Sequence, residues 1–234
     1  MRKRAWACIL LIFSVNVLAS SCKQQYYSHK LTNRVERTLE VIFKRGQVCY
    51  GMPEEGDDKS MFVFTSAGQP VFDEQGQSIS HTEIMPGTIV NVKYDGYELE
   101  TYPKQFSGIE EIHVNGYHSN NVDFLFTQIN GMFPSTKPND NTRWEIRFEG
   151  EDFLNVAEKT ALEYFLKENW TGASVTVMPK DTPVAGFGRI TIHFSEATEK
   201  TLSMEITIDN GQEGSKPSTK ATHATLQGCT WMTV

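Results

Sequence analysis

Pro86-Gly87-Thr88-Ile89-Val90-Asn91-Val92-Lys93-Tyr94-Asp95-Gly96-Tyr97-Glu98-Leu99-Glu100-Thr101-Tyr102 is the stretch on which the fold turns. Two runs that alternate apolar with polar residues flank Asp95-Gly96, and both central positions of a tight type I′ turn require positive φ. The pattern predicts a hairpin of Thr88–Tyr94 against Tyr97–Tyr102, ended by Pro103, which has no amide to give to a ladder. Upstream, Leu39, Val41 and Phe43 alternate, Val48-Cys49-Tyr50 follows a turn at Gly46, and Met61-Phe62-Val63-Phe64 is a short apolar run after a charged loop. Gly68-Gln69-Pro70 and Asp73-Glu74-Gln75-Gly76 read as turns, and Ile109, Ile112 and Val114 as one more strand. Five or six strands in about 80 residues, with no helical period between them, predict a small β-barrel or sandwich over residues 35–116.

Beyond Asn115-Gly116 the composition changes, and a domain boundary is expected near Tyr117–Asn121, with an α+β domain over 117–234. Val122, Phe124 and Phe126 alternate, as do Trp144, Ile146 and Phe148, and both runs predict strands. Asn155 with Glu158 three residues later fits a capping box, which predicts a helix from Val156 to about Glu168 with Ala161, Leu162, Phe165 and Leu166 on its apolar side. Strands are expected at Val175–Met178, Arg189–Phe194, Leu202–Ile208 and around Thr225–Val234. The fold class expected is mainly β with an α+β second half: a small barrel, then an antiparallel sheet with one packed helix.

The run 86–96, followed by Glu100-Thr101-Tyr102-Pro103 and the strand at 109–114, resembles the YobA-like exported domains, small OB-like barrels found in lipoproteins of Gram-positive bacteria. The resemblance covers about residues 38–115. It implies an OB-like fold and a cell-surface setting, and it implies no reaction.

The N-terminal segment points to the same compartment. Arg2-Lys3-Arg4 precedes a short apolar run from Ala5 to Leu18 and the small residues Ala19-Ser20-Ser21, the layout of an export signal over residues 1–21. The run is shorter than the roughly 20 apolar residues that a membrane span needs. Cys22 directly after the small residues resembles a bacterial lipobox, which implies lipid attachment at Cys22 and cleavage before it. Residues 22–34 then read as a polar tether, and the expected location is the extracytoplasmic side of the cell membrane, held by the N-terminal lipid.

Cleavage would remove three of the 22 basic residues and none of the 29 acids, so 19 would face 29 and leave a net charge of −10. Phosphate backbones repel such a chain, so no nucleic acid is expected as partner. Cys49 and Cys229 are the two remaining thiols; they either pair, closing a loop of about 180 residues, or sit as two separate buried thiols. No Cys-x-x-Cys occurs.

Candidate chemistry is sparse. His113 and His118 have no metal-ligand spacing, and no metal or cofactor is expected. His193, Ser195 and Glu196 bring together the residue types of a nucleophilic site, but in a straight strand His193 and Ser195 share one face and Glu196 the other. The acidic groups Asp57-Asp58, Glu110-Glu111 and Glu149-Gly150-Glu151-Asp152 lack the offsets of a calcium loop and read as solvated loops. Tyr94, Tyr97 and Tyr102 flank the expected hairpin and are the candidate ligand-binding residues, either stacking on a sugar or peptide or serving as cross-strand pairs. The function expected is a non-enzymatic binding or accessory module of the cell envelope, with an envelope protein or small ligand as partner. The alternative is an envelope hydrolase whose site is assembled from residues distant in sequence.

Overall fold

The computed structural model describes residues 34–54, 60–133, 143–170, 173–178, 188–211 and 216–234. The export signal, Cys22 and the tether up to residue 33 lie outside the described residues. The fold class is the expected one, mainly β with two sheets, but several elements differ from the sequence pattern for identifiable reasons.

The first sheet contains β1 (Val35–Arg45), β2 (Val48–Pro53), β3 (Phe62–Thr65), β4 (Val71–Phe72), β5 (Thr88–Tyr94), β6 (Glu98–Leu99), β7 (Lys104–Phe106) and β8 (Ile109–Tyr117). Their order is β4-β8-β5-β1-β2-β3-β7-β6. The sheet wraps a core of its own that includes Leu39, Val41, Cys49, Phe62, Phe64, Val90, Val92, Ile112 and Val114. The hairpin expected at Asp95-Gly96 does not form. β5 has β1 on one side and β8 on the other, both antiparallel, so neither of its edges is open to the residues that follow. Gly96 does turn, at φ +86, and Asp95 accepts from the Tyr97 amide at 3.2 Å, but the chain leaves to make the short pair β6–β7 instead. Five of the seven residues of β5 are buried, the signature of a central strand, which alternation alone does not separate from a hairpin arm.

The second half begins with α1 (Asn121–Gly131), then β9 (Arg143–Gly150), α2 (Val156–Asn169), β10 (Ser174–Val177), β11 (Gly188–Ala197), β12 (Thr201–Asp209), β13 (Ser218–Gln227) and β14 (Thr230–Thr233). The strand expected at Val122–Phe126 is therefore a helix. Val122, Phe124 and Phe126 fit period two, yet Val122, Leu125 and Ile129 fit the helical period equally well, and all three are buried. Tertiary packing decides: Phe126 meets Phe43 of β1 with ring centroids 4.9 Å apart, while Phe124 reaches Trp231 of β14 at 6.3 Å. A helix can face two sheets at once; a strand here would leave one of these contacts unmade.

α2 matches its expected start and its capping box. Asn155 Oδ1 accepts from the Glu158 amide at 2.9 Å, and Glu158 Oε2 accepts from the Asn155 amide at 2.8 Å. Because α2 carries the chain from β9 back to β10, those two strands run parallel, as do β9 and β11. The second sheet, ordered β10-β9-β11-β12-β13-β14, is thus antiparallel only from β11 onward.

The two helices lie between the sheets and share one core with both. Ile42, Phe43, Met52 and Met61 of the first half join Leu125, Leu162, Phe165, Ile190, Phe194 and Trp231 of the second. The step that allows this is a bulge in β1 between Val41 and Phe43. Val41 points into the core of the first sheet, and Phe43 points out of it to stack on Phe165 at 4.1 Å.

Candidate functional site

Glu98 governs the surface that the three tyrosines were expected to form. Its carboxylate accepts from Arg37 Nη2 at 2.6 Å and from the Tyr94 hydroxyl at 2.7 Å, with Lys104 Nζ at 3.9 Å. Arg37 and Lys104 also lie over the Phe62 ring, 5.1 and 5.5 Å from its centroid. Burial by itself raises the Glu98 carboxyl, but the bonds from Tyr94 and Arg37 and the charges of Arg37 and Lys104 outweigh it and hold the group below the ordinary glutamate value. Alternate side chains of an extended segment point to opposite sides, so an inward Glu98 turns Tyr97 and Leu99 outward.

The three candidates therefore separate. Tyr94 is only 2% exposed; its ring lies 4.6 Å from Phe106, and burial pushes its hydroxyl up to about 12. It is a core residue and cannot meet a ligand, which corrects its assignment from the sequence. Tyr97, Leu99 and Tyr102 are 64%, 49% and 62% exposed. Tyr102 meets Tyr164 of α2 edge-on at 5.7 Å, and Tyr164 in turn lies 6.3 Å from Tyr50 of β2. An exposed apolar ridge thus begins on β6 and ends where the first sheet meets α2. Leu99 and Tyr164 were not singled out from the sequence, because nothing local distinguishes them from core residues.

Among the described residues the histidines do not assemble a site. His113 stacks on Phe72 at 5.0 Å, with Glu111 3.2 Å from its Nε2. His118 lies elsewhere, its Nδ1 3.3 Å from Glu40 Oε2 and its Nε2 4.0 Å from Glu54. Among the described residues, no group of three or more His, Cys, Asp or Glu is arranged to hold a metal ion. The pair Glu110-Glu111 is not a solvated loop but part of β8, where Arg34 holds Glu110 at 3.0 Å and Lys93 holds Glu111 at 2.7 Å.

His193, Ser195 and Glu196 sit at a bulge of β11 between Phe194 and Glu196, which supplies the bend that a straight strand lacks. Even so they do not converge. Ser195 Oγ donates to the Ser203 carbonyl at 3.2 Å. Glu196 instead accepts from Thr201 at 2.7 Å and from Ser203 Oγ at 3.4 Å, and Ser203 Oγ lies 3.0 Å from His223 Nδ1. In this row the acid touches the serine and not the histidine, so nothing orients the imidazole as a base. The row is exposed sheet surface and joins three strands, which is why sequence spacing did not reveal it.

Cys49 and Cys229 are both free thiols, which corrects the alternative of a bridge. Cys49 is buried in the core of the first sheet, its Sγ 3.8 Å from Ser66 Oγ, and burial pushes its thiol up. Cys229 lies in the turn between β13 and β14, where its carbonyl accepts from the Asn120 amide at 2.9 Å. No described helix is long and apolar enough to cross a membrane. No family profile, no curated protein and no solved structure matches this chain.

Proposed function

We propose that this chain is a lipid-anchored protein of the bacterial cell envelope whose folded part is a non-enzymatic binding module, with Tyr97, Leu99 and Tyr102 as its contact face. The observation that carries the reading is that ridge. Three large side chains, Tyr97, Leu99 and Tyr102, stand exposed within one short stretch of chain, on a segment held in place by an ion-paired Glu98. Exposed clusters of this kind mark interaction surfaces, and tyrosine is among the residues that dominate binding energy. The basic and apolar N-terminal segment ending in Ser20-Ser21-Cys22 supports the envelope setting.

Two measurements test it. Intact mass of the protein from membranes of a bacterial host should show loss of residues 1–21 and a diacylglycerol on Cys22; an unmodified full-length chain would remove the anchor from the reading. A photo-crosslinking residue placed at 97 or 102 in living cells should trap the same envelope component from both positions, and a control at Glu205 on the opposite sheet should not. Indiscriminate labelling from all three positions would dispose of the ridge as a specific face.

A further inference from the structure

At the carboxyl ends of the parallel strands β9, β10 and β11 there is a cavity of about 490 Å³, the size of many small-molecule sites. β9 continues through α2 to β10 on one side, while β11 pairs with its other side. The strand order therefore reverses at β9. A crevice outside the carboxyl ends of parallel strands, at such a reversal, is where open α/β sheets take their ligands. The run Glu149-Gly150-Glu151-Asp152, which sequence pattern gave no role, is one wall of it.

The apolar part is formed by Phe148, Phe153 and Phe194, with Val177 and Met178 from the end of β10. The wall is firmly held. Gly150 has φ +81, and a Cβ there would run into the Phe194 carbonyl oxygen; the Glu151 amide donates to that same carbonyl at 3.1 Å. Glu151 Oε2 also accepts from the Ala197 amide at 2.6 Å. The charges are unbalanced. Glu163 is matched by Lys167 at 2.7 Å, and the other acids of the lining, Glu149, Glu151 and Asp152, are exposed at its rim, with Lys159 the one cation among the described lining residues. Its ammonium lies 5.3 Å from the Phe148 centroid, with Asp152 3.9 Å away. Lys159 thus sets one alkylammonium against an aromatic face at the mouth of the cavity, beside the fully exposed Asp152, and among the described residues of the lining Glu149 and Glu151 have no cation of their own.

We propose that this cavity is a binding site for a small organic ammonium compound with an apolar body, the body against Phe148, Phe153 and Met178 and the cation facing Glu151 and Asp152. Lys159 acts as an internal competitor for the same ring and carboxylates. The site is separate from the Tyr97–Tyr102 ridge and stands or falls without it.

The test uses three probes of one shape and different charge: 2-phenylethylamine, 2-phenylethanol and phenylacetate, titrated into the mature chain and followed by methyl NMR of Val156, Val177 and Met178. The amine should shift these signals at the lowest concentration. Lys159→Met should tighten the amine about tenfold, the effect of removing one like charge at close range, and Glu151→Gln with Asp152→Asn should weaken it by a similar factor. Thermal unfolding of each variant checks that the fold is kept. Tighter binding of phenylacetate than of the amine, loss of amine affinity in Lys159→Met, or shifts that avoid these methyl groups would each overturn the proposal.

Discussion

At the scale of single residues, two glutamates respond to pH in opposite senses. Glu98 is held below its ordinary value by Tyr94, Arg37 and Lys104 against the effect of burial, so its stabilisation is complete above about 4.5 and is lost as pH falls through its lower folded value. Glu98→Gln should cost about 2 kcal/mol at pH 7, because it takes the charge from a shielded hydrogen-bonded pair, and should flatten the acid limb of stability measured by urea unfolding at several pH values. Glu40 is the reverse case. Burial raises its carboxyl, the nearby His118 only partly offsets this, and Glu54 adds to the rise. The folded chain then binds more protons than the unfolded one, and stability declines as pH climbs from about 4.5 through the raised folded value. Glu40→Gln should remove that decline while keeping an acceptor for His118; an unchanged pH profile would show that the Glu40 environment is wetter than its geometry implies. The exposed Tyr97 and Tyr102 should behave differently again, since changing either to Ser should move the midpoint of unfolding little, whereas the buried Tyr94 should not tolerate it.

At the scale of elements, the start of α2 and the strand end before it are the sensitive points. Asn155→Ala removes one half of the reciprocal cap and should cost about 1 kcal/mol, seen as a lower urea midpoint with an unchanged slope. Gly150→Ala should cost more, roughly 2 kcal/mol or above, because the backbone there is left-handed and the added carbon meets the Phe194 carbonyl. The helix itself was legible from Asn155 and Glu158, since a cap is a local device whose partners lie three residues apart. α1 was not. Its residues satisfy two periods at once, and its cap residue Asn120 spends its side chain on the Trp231 amide at 2.9 Å instead of on its own helix. The central position of β5 was equally hidden, because its two neighbours β1 and β8 are distant along the chain in opposite directions.

At the scale of the whole molecule, the two halves read from composition share one core, and they should unfold together. A single transition in urea and by calorimetry is expected, unaffected by reductant because both thiols are free. Phe43→Ala should destabilise the whole by about 3 to 5 kcal/mol, since its ring stacks on Phe165 and meets Phe126 across the junction; two separated transitions in the unchanged chain would mean that the junction is an interface and not a core. The sequence by itself determined what depends on near neighbours and on totals: strand-rich composition, the cap of α2, the turn at Asp95-Gly96 and the acidic balance. Only the tertiary structure decided that α1 is a helix, that β5 lies in the middle of its sheet, that Tyr94 is buried while Tyr97 and Tyr102 are exposed, and that acidic residues near Gly150 border a cavity. Each of these depends on which distant surfaces compete to bury the same side chain, and that competition leaves no mark on local spacing.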